Sequence, residues 1–167
     1  MAIRQIQVQR FSVTSSDSFE NVLARIDAGV GHPDMAAFQT NVSKAKTYAD
    51  LEKVIQRGLG STGLMEFARY DLGEILRKQP GSAAPRCVRL VMGNPLIMKQ
   101  MVEHVPDAGS YAPVTVLIDE RADGAHLSYD RMASFLAPYE NQQASLVASD
   151  LDAKVEALLT AAAVGQV

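Results

Sequence analysis

At 167 residues and 18.0 kDa, with 47% hydrophobic and 21% charged residues, the chain has the make-up of one globular domain. A globule of this size buries roughly 70% of its unfolded surface, which excludes the disordered class and removes any need for disulfide staples. Lys and Arg number 16 against 19 Asp and Glu, for a net charge of -3. No basic stripe of the kind that neutralises phosphates is present, so nucleic acid is excluded as a partner class.

The polar–apolar alternation of residues 1–10 lacks the continuous apolar core of a signal peptide, and no stretch reaches the ~20 apolar residues that span a bilayer. Cys87 has no second cysteine to pair with and sits in an apolar strand, where it reads as a small core residue. The expectation is a cytoplasmic protein that meets no membrane.

In chain order, residues 3–14 read as a first strand: Ile6 and Val8 share one face by period two, and a bulge near Gln9 and Arg10 brings in Phe11 and Val13. Asp17, three residues before Glu20, opens a helix carrying Phe19, Val22, Leu23 and Ile26, which Gly29 and Gly31 stop. His32-Pro33-Asp34 opens a helical piece through Phe38, residues 40–46 read as surface loop, and Thr47 with Asp50 starts a helix that buries Leu51, Val54 and Ile55 and ends at Gly58 and Gly60. Residues 64–70 form a second strand with Met65 and Phe67 on one face and Glu66, Ala68 and Tyr70 on the other, followed by a short helix over 71–78.

Residues 86–92 are a buried strand with Val88, Leu90 and Met92 on one face. Asn94 caps the next helix, Pro95 fills its first turn, and Ile97, Met98, Met101, Val102 and Val105 give it an apolar side. After Pro113, the run Val114 to Ile118 is a strand whose hairpin partner lies past the Asp123-Gly124 turn. Residues 131–139 read as helical up to Pro138, which ends or bends the helix, and Leu151, Val155, Leu158, Leu159 and Ala162 mark a long amphipathic C-terminal helix. This order favours an α+β domain: a mostly antiparallel sheet of about four to five strands, covered by helices on one face, with a C-terminal helical extension over 139–164.

The pattern Leu90-Val91-Met92-Gly93-Asn94-Pro95, a short helix, Tyr111-Ala112-Pro113 with its aliphatic strand, and Asp123-Gly124-Ala125-His126-Leu127-Ser128-Tyr129 resembles the family called domain of unknown function 302. Residues 64–129 match in order and spacing. The resemblance implies a compact α+β domain, usually a homodimer, with no established activity. Relative to that pattern, residues 31–46 look like an insertion, part of a helical segment over 31–57, and Asp71 stands where many members carry a histidine. The extension past Pro138 looks unshared.

Candidate chemistry concentrates near the Gly93-Asn94-Pro95 turn. Its free N–H groups and positive helix end suit a carboxylate or phosphate, although structural capping explains the same residues more simply. Tyr70, Asp71, Asn94 and Tyr129 are the expected ligand-binding residues, with Met92, Met98 and Met101 as a pocket floor or as core filling. The leading function is a homodimeric domain for a small anionic or partly apolar ligand. One alternative is an enzyme with Asp71 or Glu66 as base and a tyrosine as acid, and another is a structural interaction module. The histidines His32, His104 and His126 lack metal-ligand spacing, so no metal and no cofactor is expected.

Overall fold

Apolar residues on alternate positions decide which side of the sheet is covered. In the computed structural model, which describes residues 1 and 3–165, five strands form a fully antiparallel sheet: β1 (Arg10–Ser15), β2 (Met65–Asp71), β3 (Cys87–Gly93), β4 (Val114–Arg121) and β5 (Gly124–Asp130). Their order across the sheet is β1-β5-β4-β3-β2. The helices are α1 (Phe19–Gly29), α2 (Met35–Lys44), α3 (Tyr48–Gly58), α4 (Leu72–Arg77), α5 (Pro95–Val102), α6 (Met132–Leu136) and α7 (Gln142–Val164). The α+β class, the antiparallel sheet and the long C-terminal helix are as the sequence predicts.

Cross-strand rows make the covered face explicit. Phe11, Tyr129, Val116 and Leu90 form one row, and Val13, Leu127, Ile118 and Val88 form the next. Helices α1, α5, α6 and α7 pack over them, burying Val22, Ile26, Met101, Val155 and Leu159. Burying a side chain of this kind contributes about 1.5–3 kcal/mol, so these rows dominate the stability of the layer. A smaller cluster of Phe38, Ile55 and Met65 packs α2 and α3 under the edge at β2.

The last turn of α7 meets β1 and α1. Ser15, at the end of β1, donates to the Ala163 carbonyl at 2.6 Å, and Arg25 of α1 donates to the Ala162 carbonyl at 2.9 Å. The last turn of α7 is thereby tied to the first strand and the first helix.

Several local expectations are corrected. The first strand spans Arg10–Ser15 only, because β5 is its sole partner and the chain turns towards α6 after Asp130, leaving residues 3–9 little to pair with. Ser18, not Asp17, caps α1 by accepting from Asn21 N–H at 3.3 Å, while Asp17 receives the Arg25 guanidinium at 2.5 Å. Residues 40–44 are helical, since α2 places Phe38 and Val42 against α3 and turns its polar residues outward. Asp34 caps that helix, so His32 and Pro33 precede it. In β2 the register slips between Glu66 and Ala68, which leaves Phe67 as the extra residue of a bulge and breaks the expected alternation. Pro138 lies in a short 3-10 turn, Ala137–Tyr139, and Asn141 already caps α7 by accepting from Ala144 N–H at 2.9 Å.

Candidate functional site

The strand registers separate the four residues expected to share a ligand. Tyr70 pairs with Arg89 and Arg89 with Leu117, which puts Tyr70 on the open face of the sheet, half exposed. Asp71 pairs with Val88 on the helix side, at the rim. There it caps α4 by accepting from Glu74 N–H at 2.7 Å, and it receives Arg77 at 3.2 Å. Tyr129 is 1% exposed in the core. Asn94 lies beyond the end of β3, where its Oδ1 accepts from Leu96 N–H at 2.9 Å and its Nδ2 donates to the Gly63 carbonyl at 3.0 Å. The four do not converge on one cavity.

Of these residues, Asn94 borders a well-formed apolar pocket. Its volume is about 320 Å³, and Phe67, Gly93, Met98, Met101, Pro113 and Leu151 supply most of the wall. Each element contributes for a local reason. The β2 bulge turns Phe67 towards the end of the sheet, the capped start of α5 presents Met98, and α7 brings in Leu151. No lining side chain is charged, and Asn94 spends both ends of its amide on backbone groups. The pocket therefore suits an uncharged apolar molecule, at the small end of the range of ligand cavities.

A second cavity of about 560 Å³ lies on the open face, where Val91, Thr115, Leu117 and Ser128 form a floor. Tyr111 and Phe135 stack at one end with ring centres 4.8 Å apart, and Arg10, Arg89 and Asp130 stand around the sides. The two cavities share the wall made by Ala112, Pro113 and Val114.

The expected pair is Asp71 or Glu66 with a tyrosine; the buried phenol, Tyr129, meets a different acid. Asp152 of α7, fully buried, accepts from Tyr129 O–H at 2.6 Å, Met132 N–H at 2.7 Å and Ala133 N–H at 3.1 Å. It thus caps α6 from beneath, with the Arg131 Nε at 3.7 Å. Burial, followed by the Asp152 carboxylate, pushes the Tyr129 hydroxyl well above its ordinary range, so it keeps its proton. Asp152 escaped the sequence reading, yet it had a signal: a carboxylate on the stripe Ala148, Leu151, Val155 and Leu159 is polar where the helix is buried.

Asp27, His32 and Glu66 also come together, with one ligating atom from each lying within 4.8 Å of the others. Arg69 occupies this cluster, bonding Glu66 at 2.6 and 3.1 Å and both oxygens of Asp27. Those carboxylates hold the Arg69 guanidinium even more firmly in its charged form. The arrangement works as an ion-pair knot that joins α1 to the β2 edge. Cys87 is half-buried, and burial, then Asp119 and Asp71, push its thiol up, away from the reactive thiolate.

A family model described as domain of unknown function DUF302 matches residues 38–162, from α2 to the last turns of α7, a wider span than the 64–129 core pattern. Among solved structures, the crystal structure of an uncharacterized conserved DUF302 protein from Bacillus stearothermophilus is similar, with a TM-score of 0.63 over 90% of this chain and 95% of that one. Identity is 10%, so this likeness is one of fold. No curated protein matches the sequence. Among the described residues no helix is long and apolar enough to cross a membrane.

Proposed function

The chain belongs to the DUF302 family, and from that premise we propose that it is a homodimeric small-molecule-binding domain whose ligand occupies the apolar pocket beside Asn94. The observation that carries this reading is the pocket itself: about 320 Å³ of space walled by Phe67, Met98, Met101, Pro113 and Leu151. Close packing is the rule in protein interiors, so a cavity of this size within reach of solvent is a place for a guest. Methionines on its wall adapt to varied apolar shapes. The ligand class is accordingly narrowed to apolar and uncharged at this site.

The dimer rests on exposed aliphatic residues. Ile75 and Leu76 of α4 are 70% and 52% exposed, side by side on a six-residue helix, and a second copy of the chain is the partner that would cover them.

Native mass spectrometry of the purified protein, before and after denaturation, tests both parts. The expected result is twice the protomer mass plus a small molecule that leaves on unfolding. A Gly93→Ala variant sharpens the ligand test. Its new Cβ meets Pro113 at 3.5 Å and Phe67 at 3.7 Å, ordinary contact distances, so it fits the fold while intruding on the cavity. Retained small molecule is expected to drop in Gly93→Ala, with the two proteins melting alike once the ligand has been removed from both. Ligand retained equally by both proteins would place it elsewhere.

A further inference from the structure

The open face of the sheet holds a second groove, separated from the Asn94 pocket by the wall of Ala112, Pro113 and Val114. Two cross-strand rows define it. One runs Ser12, Ser128, Leu117, Arg89 and Tyr70, and its neighbour includes Thr115, Val91 and Ala68.

Charge on this face is almost entirely compensated. Arg10 meets Asp130 at 2.6 Å, Asp119 meets Arg121 at 2.5 Å, and His126 meets Asp123 at 2.7 Å. Arg89 is different: among the described residues no carboxylate reaches it. Its cross-strand neighbours are Leu117 on one side and Tyr70 on the other, with its guanidinium carbon 5.7 Å from the Tyr70 ring centre. A guanidinium resting near a tyrosine ring, with no carboxylate beside it, keeps a planar pair of N–H donors whose match is a carboxylate.

Arg89 lines one side of the 560 Å³ groove, and its guanidinium, resting against Tyr70 on the neighbouring strand, must swing towards the groove to meet a ligand there. From Arg89 its floor continues over Leu117 and Val91, with the hydroxyls of Thr115 and Ser128 beside them, and the stacked rings of Tyr111 and Phe135 close the far end. Arg89 and Val91 lie two residues apart on one strand, roughly 7 Å, which is about the length of a one- or two-ring aromatic body. Arg10 is cancelled by Asp130, so the groove presents one uncompensated positive charge and an otherwise flat, partly apolar bed.

We propose that this groove binds an aromatic monocarboxylate, its acid group on Arg89 and its ring system laid over Leu117 and Val91 towards Tyr111 and Phe135. Charge and shape argue for this occupant together. A second carboxylate would find no free cation among the described residues of the groove, because Arg10 is already paired with Asp130, and a neutral ring would leave Arg89 unanswered.

The test uses 1-naphthoate as the probe, titrated into the full-length protein by isothermal calorimetry, with 1-naphthalenemethanol as its uncharged counterpart. Saturable 1:1 binding is expected per protomer, weaker by about tenfold or more in Arg89→Gln and for the alcohol, because a charge-assisted pair is lost in each case. Gly93→Ala, which intrudes on the other cavity, is expected to leave the affinity within about twofold. Arg89 lies on an exposed face, and an unchanged circular dichroism spectrum and melting temperature confirm that Arg89→Gln is folded. Equal affinity in wild type and Arg89→Gln, no binding at millimolar probe, or loss in Gly93→Ala alone would each overturn the assignment.

Discussion

A single buried carboxylate organises the junction of the hairpin and the C-terminal helix. Asp152 serves three donors, the Tyr129 hydroxyl and the backbone N–H groups of Met132 and Ala133. Asp152→Ala strands all of them without water, and the expected loss is about 3 kcal/mol or more in urea unfolding. Tyr129→Phe removes one donor and should cost about 1–2 kcal/mol, but much less once Asp152 is already alanine, which a double-mutant cycle reads. The same pair sets an alkaline limit. The folded Tyr129 hydroxyl titrates above its unfolded value, so its stabilisation is complete below pH ~10 and is lost as pH rises further, when the unfolded chain gives up a proton that the folded one retains. Stability of the wild type should fall between pH 10 and 11 more steeply than that of Tyr129→Phe; equal slopes would sink this account. Tyr129 was legible in the sequence as a special residue, but its partner was not. The pattern Leu151 to Leu159 marks a buried face, and only the fold shows that a carboxylate on that face has something to hold.

At the scale of elements, glycines interlock three segments. A Cβ on Gly60 would come 2.4 Å from the Gly29 carbonyl and 2.5 Å from Gly31 N, so the ends of α1 and α3 touch through bare backbone. Gly31 and Gly60 both donate to the Leu64 carbonyl at 2.9 Å, and Glu66 N–H returns a bond to Gly31 at 2.8 Å, which fixes the start of β2. Gly60→Ala must push these backbones apart, and a loss of about 2 kcal/mol or more is expected, whereas Gly81→Ala, with open space around it, should cost less than about 1 kcal/mol through its positive φ alone. The sequence marks Gly29, Gly31, Gly58 and Gly60 as helix stops, which is how they behave locally. Their mutual contact is a tertiary fact that no spacing rule contains. Caps fared better: Thr47, Asn94 and Pro95 each occupy the position that their side chain or ring chemistry dictates. Asn94→Ala should cost about 2 kcal/mol, from the lost cap and the lost tie to Gly63.

For the molecule as a whole, the sheet has one covered and one open face, and this division governs the site. Period-two reading identifies the covered row of β3, Val88, Leu90 and Met92, but in β4 Leu117 stands between Val116 and Ile118, so its run is apolar on both faces and the covered one is set by the fold. Strand order is less accessible: nothing local says that β1 joins β5 at one edge while β2 lies four strands away at the other. That order is what scatters Tyr70, Asp71, Asn94 and Tyr129, which lie near one another only if strand faces and ends are ignored. The exposed side of α4 bears on assembly. Ile75→Glu combined with Leu76→Glu should leave the fold intact and shift sedimentation from dimer to monomer; a dimer that survives the double change would move the interface away from α4.

The stitch between Ser15 and Ala163 spans 148 positions of sequence, and the neighbouring bond from Arg25 to Ala162 spans 137. Contacts of such separation carry the largest loop-closure cost and form late. A chain leaving the ribosome can pair β4 with β5 early. It can seat β1 and α1 against the final turn of α7 only after synthesis has passed residue 163, and until then Leu127, Val116 and Ile26 lack part of their cover. Until then apolar surface stays open, the condition under which partly folded chains aggregate.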